Sequence, residues 1–189
     1  MLKAMVKVSL RLDKTSSLAK ALHTLAKTDV LVGIPQGSDR EDGPITNAQL
    51  LYIHEHGVRS QTMREAMQPD LDRGVPYSKA YDLFIHEHGS PLWKIPPRPV
   101  LEPSIATVKP KIAEWFKKAT DAALNGDDPG PYLDAAGKTA RDAAFNWFTD
   151  PRNGWPPNAP STIKAKGSDR PLIDTGEMRK AITWVVRER

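Results

Sequence analysis

Proline is the residue that most restricts how this chain can fold. It accounts for 17 of the 189 residues, and most of it lies in two clusters, at residues 91–110 and 151–171. A proline ring sets φ and removes a backbone N–H donor, so such stretches end helices and favour extended connectors. The sequence therefore predicts helices and strands separated by stiff, proline-rich loops.

Length and composition suit one globular domain spanning residues 1–189. Charged residues make up 26% and hydrophobic residues 39% of the chain. No apolar run is long enough to cross a membrane, and the N-terminal residues alternate charge with apolar side chains, unlike a signal peptide. Cysteine is absent, which excludes disulfides and thiolate metal sites and fits a reducing compartment.

Three stretches have the patterns of strands. Residues 5–12 alternate apolar and polar side chains, and so do residues 181–187. Residues 30–34 form a continuous apolar run that Pro35 ends, which is typical of a strand buried on both faces. We expect an α+β fold with a small, mostly antiparallel sheet (strands near residues 5–12, 29–34 and 181–187), packed by four to five helices.

Helical periodicity predicts the helices between these strands. Thr46 and Gln49 have the spacing of a capping box, and Pro110 is expected to kink or restart the helix that contains it. The long loop at residues 150–176 is expected to be functional or disordered. The predicted helices cover residues 18–25, 46–56, 78–88, 104–124 and 132–148.

The sequence Ile-His-Glu-His-Gly occurs twice, at residues 53–57 and 85–89. Each copy ends a predicted helix, and the stretch between them, residues 58–77, has the character of an insertion with a short helical turn at residues 62–67. Both copies are expected to present the same apolar face, because four residues of one align with four of the other: Ala48, Leu51, Tyr52 and Ile53 with Ala80, Leu83, Phe84 and Ile85.

The two His-Glu-His clusters raise the question of a metal site. Residues two apart on a helix point about 200° away from each other, so His54 and His56 diverge, and neither copy has the His-x-x-x-His spacing of helical zinc sites. We favour helix termination, with histidines at the negative end of the helix dipole and Gly57 and Gly89 as left-handed caps. The remaining metal candidates, ranked below this interpretation, are His54 and His86 with Glu55 or Glu87.

Catalytic motifs are absent from the sequence. There is no Gly-x-Ser-x-Gly, no cysteine nucleophile and no glycine-rich loop followed by Lys-Ser/Thr. We expect no catalytic residues, no cofactor and no enzymatic activity.

The order of motifs resembles that of phage tail-completion proteins, the head–tail joining or neck proteins that include the minor tail protein Z type. The matching features are a β–α–β start, a helix ending in Ile-His-Glu-His-Gly and the segment Ile-Pro-Pro-Arg-Pro-Val-Leu at residues 95–101 before a helix. Residues 157–163, residues 166–176 and the final strand after Met178 are also similar. The duplicated motif is the departure from the family pattern, and adjacency to residues 95–101 favours its second copy, residues 84–89, as the family's counterpart.

This resemblance implies a structural virion protein that completes the tail and joins it to the DNA-filled head. The family works as a homo-oligomeric ring, expected to be hexameric, with tail-terminator and head-connector proteins as partners and non-specific contact with DNA in the channel. It places the protein in the virion neck, and in the bacterial host cytoplasm during assembly.

The two proline-rich stretches hold the candidate contact residues. Arg98 suits either a bidentate contact with a neighbour's carboxylate or an intramolecular contact with a helix end or carboxylate. Residues 161–175 suit either a segment that orders on assembly or a mobile surface loop. The interface candidates are Ile95, Pro96, Pro97, Arg98, Pro99, Lys164, Lys166, Arg170, Leu172, Asp174, Thr175 and Gly176.

A nucleic-acid-binding module is the alternative, followed by a metal-dependent hydrolase that would use the His-Glu-His clusters. The net charge of +4 and the five tryptophans support contact with nucleic acid. Against it, basic residues do not gather on one predicted helix face, and Trp93 and Trp155 lie in proline-rich loops rather than on a basic stacking platform.

Overall fold

The structure is a computed structural model that describes residues 15–37, 45–89 and 92–189. The strand expected at residues 5–12 lies outside the described residues. Those residues form eight α-helices and four strands, which confirms the α+β class with more helices than the four to five expected. In this described part of the chain no helix has the length and hydropathy of a membrane span.

The order of elements along the chain is as follows. The helices are α1 (Thr15–Ala26), α2 (Asn47–His56), α3 (Gln61–Asp72), α4 (Tyr77–His88), α5 (Leu101–Asn125), α6 (Gly130–Trp147), α7 (Pro160–Lys166) and α8 (Glu177–Lys180). The strands are β1 (Thr28–Gly33), β2 (Val58–Arg59), β3 (Trp93–Ile95) and β4 (Thr183–Glu188).

The first and last described strands pair with each other. β1 and β4 are antiparallel, with Val30 opposite Val186 and Val32 opposite Trp184, which confirms the antiparallel pairing expected between these stretches. The alternation in β4 leaves Val185 exposed and turns Trp184 inward. The Trp184 indole N–H donates to a carboxylate oxygen of Asp134 at 2.8 Å, so β4 is fastened to α6.

The helices α5 and α6 make the most extensive helix–helix contact of the described chain. α5 runs as one helix of 25 residues through Pro110, so this proline does not restart the helix. Because proline has no backbone N–H, the carbonyl of Ala106 lacks its usual helical partner. Ala106 and Pro110 are both exposed. Water can hydrogen-bond that carbonyl, which explains why the helix continues.

Buried side chains form two separate clusters among the described residues. The main core lies between α2, α6, α8 and the chain around them. The smaller one lies between α3 and α4, which form a hairpin on the antiparallel β2–β3 pair. The main core consists of Leu51, Val100, Ala144, Trp147, Phe148, Met178 and Ile182, and the smaller one of Met63, Met67, Ala80 and Phe84.

The stretch at residues 58–77 is more regular than predicted. In place of a short turn at residues 62–67 it holds β2 and the 12-residue helix α3. The Ser60 hydroxyl caps α3 by accepting the N–H of Met63 at 3.2 Å. The helix buries only Met63 and Met67, a pair four residues apart that makes too short an apolar stripe to stand out in the sequence.

The two copies of the duplicated motif do not present the same apolar face, so that prediction was wrong. In α2 Leu51 is 5% exposed and Tyr52 66% exposed, whereas in α4 the aligned Leu83 is 48% exposed and Phe84 4% exposed. Adjacent helical residues differ by about 100° around the axis. The two helices are therefore rotated relative to what they pack on, because α2 faces the main core and α4 faces α3.

We predict that Gly137→Ala in α6 will lower the free energy of unfolding by about 1–3 kcal/mol through overpacking. A Cβ at this position would lie 2.3 Å from Cδ1 of Trp184 and 3.0 Å from Cγ1 of Val30. In a helix interior alanine is more favourable than glycine by about 1 kcal/mol. A loss of stability in the variant can therefore be attributed to the clash. Urea unfolding measures it.

The control is Asn146→Ala, at an exposed position of the same helix, which should change the free energy of unfolding by less than about 0.5 kcal/mol. A Gly137→Ala variant as stable as the native chain would mean that α6 and β4 do not pack this closely.

Candidate functional site

Two proline-rich segments, distant in sequence, lie against each other in the structure. We call residues 95–99 the first segment and residues 150–176 the second segment. Arg98 donates from Nε to the carbonyl of Pro156 and from Nη2 to the carbonyl of Pro157, both at 2.9 Å. In return the indole N–H of Trp155 donates to the carbonyl of Pro99 at 3.0 Å. The segments are thereby joined by three hydrogen bonds.

The sequence left open whether Arg98 contacts a neighbouring molecule or its own chain. In the structure it contacts its own chain. Its acceptors are loop carbonyls rather than the helix end or carboxylate that was expected. Its side chain is buried, with 6% of the residue exposed, and this burial lowers the pKa of the guanidinium. Among the described residues it forms no ion pair.

The first Ile-His-Glu-His-Gly copy supports the first segment from the other side. The backbone N–H of Arg98 donates to the carbonyl of His54 at 2.7 Å. One carboxylate oxygen of Glu55 accepts the N–H groups of Val100 at 2.9 Å and Leu101 at 2.7 Å, which caps the start of α5. The copy that supports the first segment is therefore residues 53–57, although residues 84–89 are the nearer copy in sequence.

The glycines that end the two copies have different conformations. Gly89 has φ 77° and ψ −21°, the left-handed cap that was predicted. Gly57 has φ 69° and ψ 176°, so it is not a left-handed cap. A Cβ on Gly57 would lie 2.8 Å from the carbonyl oxygen of Ile95 and 2.9 Å from the nitrogen of Pro97. The first segment approaches the α2 end too closely for any side chain there.

The second segment has a defined structure of its own. Asp150 caps a 3₁₀ turn at its start by accepting the N–H of Arg152 at 2.9 Å, and the Arg152 guanidinium and N–H lower the pKa of this carboxyl to about 2. The buried Asn158 donates from Nδ2 to the carbonyl of Asp169 at 3.1 Å. Helix α7 lies between Asn158 and Asp169 in the sequence, so residues 161–175 include helical structure in the isolated chain.

An open cleft of about 570 Å³ lies where the two segments meet α2 and α8. Leu50, Thr162 and Met178 belong to its lining. Six of the twelve interface candidates line it, together with the metal candidate His54: Ile95, Pro96, Arg98, Lys166, Leu172 and Asp174.

The other six candidates lie around this cleft or away from it. Pro97 packs beside Gly57, and Pro99 is exposed with its carbonyl bonded to Trp155. Lys164 and Arg170 are exposed on the surface of the second segment. The last two, Thr175 and Gly176, line a small neighbouring hollow of about 40 Å³.

Leu172 has an unusual backbone in the cleft wall. Its φ is 57°, a left-handed conformation that a branched side chain adopts only at a cost of about 1–3 kcal/mol. Its side chain packs against the main core, which compensates for that cost. Strained residues of this kind cluster at binding sites and clamps, so Leu172 adds weight to the cleft as a functional region.

The metal candidates do not come together. His54 lies in the cleft, whereas His86 is exposed on α4 in the helical hairpin. Residues 15–37, 45–89 and 92–189 hold no group of three or more His, Asp or Glu side chains placed for one metal ion. His56 shows the helix-end role that was predicted, with Nδ1 2.9 Å from the carbonyl oxygen of Tyr52.

Each of the five tryptophans is buried or contacts another group of the protein. Trp93 contacts the Arg59 guanidinium, and Trp115 contacts Lys118 with its ring and Thr139 with its N–H. The remaining three are the buried Trp147, Trp155 with its bond to Pro99, and Trp184 with its bond to Asp134.

Two residues of this site, Lys94 and Asn158, were not singled out in the sequence, and Glu55 was named there only as a metal candidate. Glu55 acts on backbone N–H groups 45 and 46 residues away, a distance that no local pattern reports. Lys94 lies at the cleft beside the first segment. Asn158 had one signal, namely a polar side chain between prolines, where few backbone donors are available to neighbouring carbonyls.

Comparison with protein-family models, with curated proteins and with solved structures found no match to this chain.

We predict that Glu55→Ala will destabilise the fold by about 1–2 kcal/mol, because it leaves the N–H groups of Val100 and Leu101 without their acceptor. Urea unfolding measures this. Glu87→Ala is the matched control from the second copy, since the Glu87 side chain is 78% exposed and its one ion-pair contact among the described residues is 3.9 Å long, with His88.

The Glu87→Ala variant should keep its stability within about 0.5 kcal/mol. Equal effects of the two substitutions would show that the first copy does not cap α5.

Proposed function

We propose that this chain is a structural protein of the phage neck that completes the tail and joins it to the DNA-filled head as part of a homo-oligomeric ring. The observation that carries this proposal is the meeting of the two proline-rich segments. These segments also hold most of the motif order that resembles tail-completion proteins. In the structure Arg98 and Trp155 link them into one surface around an open cleft.

The rigidity of this surface supports a docking role. Pro96, Pro97 and Pro99 have preset φ angles, so the first segment loses little conformational entropy when a partner binds. The second segment is held by the Asp150 cap and by the Asn158 bond to the carbonyl of Asp169. Preorganised surfaces of this kind bind with a smaller ordering cost.

The chemistry of the cleft also favours binding over catalysis. Two N–H groups of Arg98 donate to backbone carbonyls, and the Lys166 ammonium donates to the carbonyl of Arg170 at 2.6 Å. Groups that are bound to the backbone in this way support a shape rather than a proton transfer.

We predict that the double variant Lys164→Glu, Arg170→Glu will reduce infectious virions by about tenfold or more, because charge reversal at a contact costs several kcal/mol and each 1.4 kcal/mol is tenfold. Both side chains are exposed on the second segment. The variant gene would replace the native gene in the phage that encodes the chain, and electron microscopy would count filled heads, free tails and joined particles.

The control double variant is Lys109→Glu, Lys117→Glu on α5, where both residues are exposed and outside the cleft; it should assemble as the native chain does. If particles without the chain still join tails to filled heads, the proposed function is wrong. If the gene is required but the double variant assembles normally, the second segment is not the contact.

A further inference from the structure

Arg98 is a buried cation whose charge no carboxylate of the described residues balances. A buried ion without a partner is costly, and proteins normally pair such groups. The carbonyls of Pro156 and Pro157 engage Nε and Nη2, whereas a guanidinium has five N–H donors. Nη1 takes part in neither of these bonds. The buried side-chain atoms that lack a hydrogen-bond partner in the described chain do not include it. Arg98 is one of the residues that line the cleft.

The rest of the lining is cationic and apolar. Lys94 and Lys166 add two positive charges, and Asp174 is the one acidic residue among the described residues of the lining. Apolar side chains form other parts of the wall, among them Ile95, Leu172 and Met178. A ligand that complements this surface carries negative charge and apolar groups together.

We propose that the cleft binds an acidic, partly apolar peptide segment of a partner protein, with one carboxylate on the Arg98 guanidinium. This names the partner chemistry of the surface described under the proposed function, and it rests on that function for its biological setting. The planar fork of arginine matches a carboxylate, with N–H groups shared between protein and ligand acceptors.

A peptide carboxylate fits this cleft better than a free phosphate. The wall is largely aliphatic, and a small dianion such as phosphate makes no use of aliphatic contacts. The Asp174 carboxylate also repels a dianion more strongly than it repels a single carboxylate. The volume of about 570 Å³ lies within the range of sites that bury a ligand of several groups.

The experiment uses two capped pentapeptides and the full chain. One probe is Leu-Glu-Leu-Glu-Leu and the other is Leu-Gln-Leu-Gln-Leu, which has the same length and shape without the charges. We expect the glutamate peptide to bind about tenfold or more tightly, because hydrogen bonds to a charged partner exceed neutral ones by roughly that factor. Calorimetry measures the affinities, and the advantage should shrink when salt is raised.

A cleft-filling variant locates the site. Thr162→Trp places a large ring in the lining, whereas Ser161→Trp places it at an exposed neighbour on α7 outside the lining. Binding of the glutamate peptide should be lost in the first variant and kept in the second. Lys94→Gln, at an exposed position, should weaken binding by about twofold to fivefold. Substituting Arg98 itself would also remove its bonds to Pro156 and Pro157, so it is not used.

Three results would overturn the inference: equal affinity of the two peptides, unchanged binding in Thr162→Trp, or complete displacement of the peptide by an equal concentration of inorganic phosphate. The last would indicate a general anion site. These outcomes are separate from the phage experiment, because a chain that is dispensable for joining tails could still bind the acidic peptide, and one that is required could fail to bind it.

Discussion

The two hydrogen bonds from the Arg98 guanidinium hold together parts of the chain that are 58 and 59 residues apart. Proline-rich segments have few N–H groups, so their carbonyls need donors from elsewhere. One buried guanidinium supplies two such donors to consecutive carbonyls, and the Trp155 indole supplies a third to Pro99. These bonds hold the two proline-rich segments together, and residues of both segments line the cleft.

The duplicated motif shows how strongly surroundings decide what a residue does. Glu55 accepts two backbone N–H groups at the start of α5, whereas Glu87 is exposed. Gly57 allows the first segment to approach its backbone, whereas a side chain at Gly89 would meet open space. The five residues are the same in both copies, and the main core and the α3–α4 hairpin give them different neighbours.

The cleft combines features that suit docking. Its walls are prearranged by proline and by hydrogen bonds, its lining is cationic and apolar, and Leu172 is held in a strained conformation by its packing on the core. A surface of this kind binds by fit and charge rather than by rearrangement. This is the property that the proposed neck function and the proposed acidic partner segment both require.

Local elements whose signals are short-range could be predicted from the sequence. The alternation of Ile182, Trp184 and Val186 predicted β4, and the spacing of Thr46 and Gln49 predicted a capping box that the structure contains, with Gln49 accepting the Thr46 N–H at 2.9 Å. Periodicity also predicted α5 and α6, because long apolar stripes report which residues share one face.

What each helix face packs against depends on the tertiary fold. Leu51 and Tyr52 exchange roles with Leu83 and Phe84 because periodicity names a face and not its neighbour. The acceptors of Arg98 and the target of Glu55 lie 45 or more residues away, so nothing in the sequence near them identifies the contact. The cleft exists only because these distant pairings bring the two proline-rich segments together.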